Sequence, residues 1–137
     1  MPEEPALFDL HGRPPRILLV EDDPALSEIL SELFADEGLE LACLSETTDI
    51  IPAIEQFCPD LVLLDYLLPL TNGGELCSQI KNHSSTRTLP VIIYSAFPRL
   101  LMSIGGYGCD RFLEKPFDLK NLLCQVREVL AGKRQLF

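Results

Sequence analysis

The sequence predicts an α/β domain built on a doubly wound, five-stranded parallel sheet with helices covering both faces. From Arg16 onward, short apolar runs alternate with amphipathic segments, the signature of strand–helix repeats. Several of the runs are apolar on both faces, as strands buried in the middle of a parallel sheet are. The chain has 137 residues, too few for a closed eight-stranded barrel, so right-handed crossovers leave an open sheet as the expected topology.

Residues 1–15 contain Pro2, Pro5, Pro14 and Pro15 and show no periodicity, which reads as an irregular arm, packed through Leu7, Phe8 and Leu10. The first strand is 17–20, Ile-Leu-Leu-Val. Asp23-Pro24 then supplies a helix N-cap and a proline at the first helical position. Leu26, Ile29, Leu30, Leu33 and Phe34 follow at i, i+3, i+4, i+7 and i+8, and Gly38 closes the helix. Residues 39–44 form the second strand, after which Thr48 is expected to cap a short helix carrying Ile50, Ile51, Ile54 and Phe57. Pro52 lies in that helix's first turn, where its missing N–H does little harm.

The third strand, 61–64, ends abruptly at Asp65. A loop through Pro69, Asn72 and Gly73 leads to a helix over 75–82. Residues 91–94 form the fourth strand, ending at Ser95. A weak helix over 99–104 is cut short by Gly105 and Gly106. Phe112 and Leu113 lie in a short fifth strand ending near Lys115. Asp118 caps the clearest helix, with Leu119, Leu122, Leu123, Val126, Val129 and Leu130 on one face. The domain is thus expected over 16–131, with 132–137 as a short tail. So few residues after the last helix leave no room for a DNA-binding module, and a stand-alone domain and a piece of a longer protein read alike.

Composition narrows the functional classes. With 21 acidic against 11 basic residues the formal charge is −10. A surface this negative repels phosphate backbones, so direct nucleic-acid binding is not expected. The five cysteines are odd in number and scattered, and neither His11 nor His83 completes a zinc-ligand spacing. Free thiols in a reducing cytoplasm are the plain reading. The N-terminus shows no basic segment followed by an apolar run, and no apolar stretch is long enough to span a bilayer, so a cytoplasmic protein without membrane association is expected.

In open α/β sheets ligands sit beyond the carboxyl ends of the strands. Strand one ends in Glu21, Asp22 and Asp23, strand three in Asp65, strand four in Ser95 and strand five in Lys115. Asp23 is explained as a helix cap by the proline after it. The remaining carboxylates, brought together, repel one another unless a hard divalent cation relieves them. Mg²⁺ fits, because it takes oxygen ligands, and no histidine or thiol is placed to favour zinc. Lys115 is a point charge suited to a phosphoryl group, and the Ser95 hydroxyl can donate to one of its oxygens. An aspartate beside a metal and a lysine can attack phosphorus and form an acyl phosphate.

These residues together resemble the receiver domain of two-component response regulators. Residues 17–24, Ile-Leu-Leu-Val-Glu-Asp-Asp-Pro, are similar to that family's first strand and acidic pair, with Glu21 and Asp22 as the pair. Residues 61–65, Leu-Val-Leu-Leu-Asp, resemble the phospho-acceptor strand, and Leu68-Pro69 with Asn72-Gly73 the loop after it. Residues 91–96 resemble the strand ending in the switch hydroxyl, and 112–117, Phe-Leu-Glu-Lys-Pro-Phe, the strand with the switch aromatic and the phosphate-binding lysine.

The resemblance implies a flavodoxin-like strand order 2-1-3-4-5 and phosphorylation of Asp65 by a sensor histidine kinase or a histidine phosphotransfer protein. It implies Asp22, Asp65 and the backbone carbonyl of Leu67 as direct metal ligands, with Glu21 acting through water. Ser95 and Phe112 would move together on phosphorylation, and Lys115-Pro116 would be a cis peptide. On this reading the domain accepts and hydrolyses its own phosphoryl group but is no conventional enzyme. A downstream protein would read the face made by the fourth helix, fifth strand and last helix, and the exposed side of that last helix offers a homodimer surface.

Between Ser95 and Lys115 the chain is slightly shorter than the family pattern, and it carries Pro98, Gly105, Gly106 and Gly108, poor material for a helix. An ordinary Asp65 pocket with an unusual output face is therefore expected. Three rivals are weaker. A haloacid-dehalogenase-type phosphatase needs a second aspartate where Leu67 stands. A flavodoxin-type flavin module needs a phosphate-cradling loop where Glu21-Asp22-Asp23 stands. A phosphorylation-independent interaction module has no use for the complete acidic pocket.

Overall fold

The computed structural model describes residues 12–97 and 108–134, with side chains of the last helix described as far as Gly132. Five strands, β1 (Arg16–Val20), β2 (Glu40–Leu44), β3 (Leu61–Asp65), β4 (Val91–Ser95) and β5 (Arg111–Glu114), form one sheet in the order β2-β1-β3-β4-β5. Every pairing is parallel, with Leu19 beside Leu63, Leu63 beside Ile92 and Ile93 beside Phe112. The described helices are α1 (Pro24–Asp36), α2 (Ile51–Phe57), α3 (Gly73–Asn82) and α4 (Leu119–Arg134). The expected helix over 99–104, the contacts of Leu7, Phe8 and Leu10, and most of the N-terminal arm lie outside the described residues.

Alternation along each strand divides the core in two. Ile17, Leu19, Leu61, Leu63, Ile92, Tyr94 and Leu113 pack with Leu30 and Phe34 of α1 and with Leu122, Val126 and Leu130 of α4. Leu18, Val20, Val62, Leu64, Val91 and Ile93 pack on the opposite face with Ile54 of α2 and Leu76, Cys77 and Ile80 of α3. Each fully buried aliphatic side chain contributes about 1.5–3 kcal/mol of transfer free energy, so these two layers hold the domain together. The central strands β3 and β4 are buried at every residue, whereas the edge strands β2 and β5 are partly exposed, as their mixed sequences require.

The helix termini follow local chemistry. The Asp23 side chain accepts from the Ala25 amide at 3.0 Å, and Pro24 starts α1. At its far end Gly38 adopts φ +80°, the Gly38 amide reaches the Ala35 carbonyl and the Leu39 amide the Phe34 carbonyl, a Schellman closure. Asn72 caps α3 through the Glu75 amide at 2.8 Å, so the helix starts at Gly73, two residues earlier than expected from periodicity. Asp118 accepts from the Lys120 amide at the start of α4.

Thr48 does not cap α2. Its carbonyl instead accepts from Gln79 Nε2 at 2.8 Å, while Gln79 Oε1 takes the Ile50 amide at 3.0 Å. The Asp49 carboxylate, nearer the helix start, serves the Ile51 amide at 3.2 Å. One amide side chain from α3 thus satisfies both sides of the loop, and the threonine takes part through its carbonyl rather than its hydroxyl.

Candidate functional site

Because parallel strands all point the same way, the residues just past their carboxyl ends meet on one edge. Val20 lies beside Leu64, which brings Glu21 and Asp22 to the end of β3, and Asp65 lies beside Tyr94. Oxygen atoms of Glu21, Asp22 and Asp65 all fall within 4.8 Å of one another. Glu21 and Asp65 are buried, at 2% and 5% exposure, and Asp22 is open to solvent.

The sequence-based candidates converge. Lys115 Nζ stands 3.4 Å from Asp65 Oδ2. The backbone of Lys115 is fixed by its amide, which donates to the Ser95 carbonyl at 2.8 Å, and the Lys115-Pro116 peptide is cis, as expected. The Ser95 side chain is buried and its Oγ accepts from the Phe97 amide at 2.9 Å, which leaves its hydroxyl proton available to donate. The Leu67 amide donates to Asp65 Oδ1 at 3.3 Å, fixing the turn that carries the Leu67 carbonyl, and Leu67 bridges back to Asn72. Phe112 is half-buried against the α2–α3 side of the core, with β4 lying between its strand and that of Asp65.

The turn after Asp65 closes tightly over its own backbone. The Gly73 amide donates to the Tyr66 carbonyl at 2.8 Å, and a Cβ on Gly73 would stand 2.5 Å from the Asp65 carbonyl oxygen. Only a glycine lets α3 begin this close to the end of β3.

Burial first, then the nearby Glu21 charge, push the Asp65 carboxyl up to about 6 from 3.8, against the pull of Lys115 and the Leu67 amide. A buried acidic pair with one lysine is under-neutralised, which is the condition a hard cation relieves. Oxygen donors alone line the cluster, with one carboxylate open to water, so the residues present fit Mg²⁺.

One contact was not read from the sequence. The Tyr94 hydroxyl donates to Glu21 Oε1, while Glu21 Oε2 accepts from the Asp23 amide at 3.0 Å. Tyr94 is fully buried, packs edge-on against Phe117 at 5.2 Å, and has Lys115 Nζ 5.1 Å from its ring centroid. Burial first, then the Glu21 contact, push its phenol well above the usual range, so it remains a donor. The sequence signal was there: a buried tyrosine needs a partner for its hydroxyl, and this one sits in an otherwise aliphatic strand.

Beside Lys115 an apolar groove of about 570 Å³ runs between α1 and the loop after β5, lined by Leu26, Ile29, Phe117 and Leu119 among others. Ile29 is 49% exposed there, although the helical periodicity had assigned it to the core stripe.

A family model for the response regulator receiver domain matches residues 17–127. Among curated proteins, the chain is 32% identical over 118 residues to the DNA-binding dual master transcriptional regulator RpaA of Synechocystis sp., covering 85% of this chain and 49% of that protein. The chain spans about half the length of the curated relatives it matches. Among solved structures, the signal receiver domain of a signal transduction histidine kinase from Syntrophus aciditrophicus superposes with a TM-score of 0.80 at 28% identity, covering 90% of this chain and 95% of that one. The response regulator TrrA of Thermotoga maritima, solved in complex with Mg(2+)-BeF, gives 0.70 at 26% identity, covering 83% and 97%.

Proposed function

The chain belongs to the response regulator receiver domain family, and on that premise we propose that it is a phosphorylation switch whose acceptor is Asp65. The observation that carries this is the placement of a buried Asp65 within 4.8 Å of Glu21 and Asp22 oxygens and 3.4 Å from Lys115 Nζ. In this reading the receiver unit spans residues 16–131, with 1–15 as an arm before it and 132–137 as a short tail.

Asp22, Asp65 and the Leu67 carbonyl would hold Mg²⁺ directly and Glu21 through water, as in the family pattern. The relative TrrA, solved with Mg(2+)-BeF, supports that choice of ion. When bound, the ion supplies charge neutralisation for the phosphoryl oxygens. The chain's own residues do the rest. An Asp65 oxygen attacks phosphorus of a phosphohistidine; the P–N bond breaks, its electron pair returns to the imidazole, and an acyl phosphate forms on Asp65. Lys115 faces one phosphoryl oxygen, stabilising its charge, and the Ser95 hydroxyl moves to another. Water later cleaves the acyl phosphate, restoring the carboxylate, so the domain's chemistry is confined to its own modification.

The donor is a histidine kinase or phosphotransfer protein. The apolar groove beside Lys115 is where its helical surface would rest while the histidine reaches Asp65. New charge at Asp65 would bias Ser95 and Phe112 and so the face around β5 and α4. The relatives are named DNA-binding regulators, but the charge of −10 on this chain argues that its own surface does not contact nucleic acid. No described helix is long and apolar enough to cross a membrane.

Intact mass after incubation with Mg²⁺ and a small phosphodonor, for the wild type and Asp65→Ala, tests the reading. A single metal-dependent phosphoryl adduct absent from the variant supports it. No adduct with any donor, the fold being intact, leaves a phosphorylation-independent interaction module as the better reading.

A further inference from the structure

We propose that Tyr94 is a positioning residue for the divalent cation, its hydroxyl holding the Glu21 carboxylate in the orientation from which that group serves the ion; this rests on the reading of the pocket above. Both oxygens of Glu21 meet a protein donor on one side, the Tyr94 hydroxyl at Oε1 and the Asp23 amide at Oε2. A carboxylate accepts at about four lone-pair sites, so each oxygen keeps capacity on its other side. With its two anchors fixed, the group can turn that free side to the cluster it shares with Asp22 and Asp65.

A glutamate needs such restraint more than an aspartate does. Its side chain has one more rotatable bond, and ordering it at the moment of metal binding would weaken the site. Tyr94 removes that penalty only if it is itself rigid, and it is. The residue is fully buried in the central strand β4, with its ring edge-on to Phe117 at 5.2 Å and beneath Lys115 Nζ at 5.1 Å. Its strand neighbour in register is Asp65. Tyr94 therefore links Glu21, through its hydroxyl, to Lys115, whose ammonium lies over its ring. Tyr94→Phe keeps the ring contacts and removes only the donor to Glu21, which isolates the role.

The test is a calorimetric Mg²⁺ titration of the full chain as wild type, Tyr94→Phe, Glu21→Ala and the double variant. Tyr94→Phe is expected to weaken Mg²⁺ about tenfold, the usual scale for losing a partner that orients a ligand. In the Glu21→Ala background the same change is expected to have little further effect, since nothing is left to position. Equal affinity of wild type and Tyr94→Phe overturns the inference, and so does a loss that persists undiminished without Glu21. Absence of Mg²⁺ binding by the wild type overturns the reading of the pocket itself and is told apart by that first titration.

A second measurement needs no variant. The chain has three tyrosines and no tryptophan. Saturating Mg²⁺ is expected to perturb the near-ultraviolet tyrosine absorption of the wild type, because the ion acts on the carboxylate to which a phenol is bonded. An unchanged spectrum under conditions where calorimetry shows saturation overturns the inference.

Discussion

The Cα of Gly73 lies so close to the Asp65 carbonyl that a methyl group there would stand 2.5 Å from the oxygen and 3.1 Å from the carbonyl carbon. The obstacle is backbone at the end of a fully buried strand, so it cannot swing aside. Gly73→Ala is therefore expected to lose about 1–3 kcal/mol, the range for overpacking a filled site, and to slow phosphorylation by displacing Asp65. Gly132, exposed in α4 with nothing within 4 Å of an added Cβ, is the control. There Ala is expected to gain up to about 0.5–1 kcal/mol through helix propensity. Urea denaturation checks both, and a Gly73→Ala midpoint equal to wild type refutes the first.

The raised Asp65 pKa makes stability depend on pH in a defined direction. The folded chain holds this proton up to about 6, whereas the ordinary value is 3.8. Its contribution is thus fully present below the unfolded pKa and is lost as pH rises through the folded one. Asp65→Asn cannot ionise and escapes that loss. In metal-free buffer near pH 7 the variant is expected to be more stable by on the order of 2–3 kcal/mol, roughly 5–10 °C in Tm, with the gap closing toward about pH 4. Added Mg²⁺ should recover the wild type selectively, by mass action on the native state. A pH-independent gap in thermal melts contradicts the assignment.

What was legible in the sequence was whatever depends on local pattern and fold rule together. Apolar runs ending in Glu21, Asp65, Ser95 and Lys115 place the acids, the hydroxyl and the amine at one sheet edge, because parallel strands share a direction. The Asp23 cap and the Gly38 closure are likewise local, whereas Asn72, read as loop, caps α3. What stayed hidden were partnerships between elements distant in sequence. Gln79 serving residues 48–50, and Tyr94 serving Glu21, depend on side-chain reach across a finished fold. Ile29 fitted the helical stripe by spacing yet faces a groove, since spacing cannot show where the neighbouring element stops.

Lys115 has two tasks that one substitution separates from folding. Its ammonium lowers the Asp65 pKa, and its half-buried side chain brings Nζ to 3.4 Å from Asp65 Oδ2, where a phosphoryl group would form. Lys115→Met keeps an unbranched side chain of similar length and removes the charge. Phosphorylation from a small donor is expected to slow by roughly 10²–10³, as when a preorganised electrostatic partner is lost. The pH at which Asp65 becomes reactive is expected to move up. Time-resolved intact mass at several pH values measures both, and an unchanged rate would remove Lys115 from the site.

Asp60 anchors the opposite end of β3 and should affect stability without touching the chemistry. Its side chain is 2% exposed and accepts from the Arg16 amide at 2.8 Å and from Arg13 Nη1 at 3.0 Å. Asp60→Ala leaves the first amide of β1 without that acceptor in a part-buried setting, an expected loss of about 2 kcal/mol. Arg13→Ala removes only the more exposed partner, so its cost should be about 1 kcal/mol and smaller still at high salt. Because four residues of strand separate Asp60 from Asp65, both variants should retain wild-type phosphorylation by intact mass at a temperature where they are folded. Equal destabilisation by the two, or loss of the adduct in either, would show that this end of the strand is coupled to the site in a way the contacts do not account for.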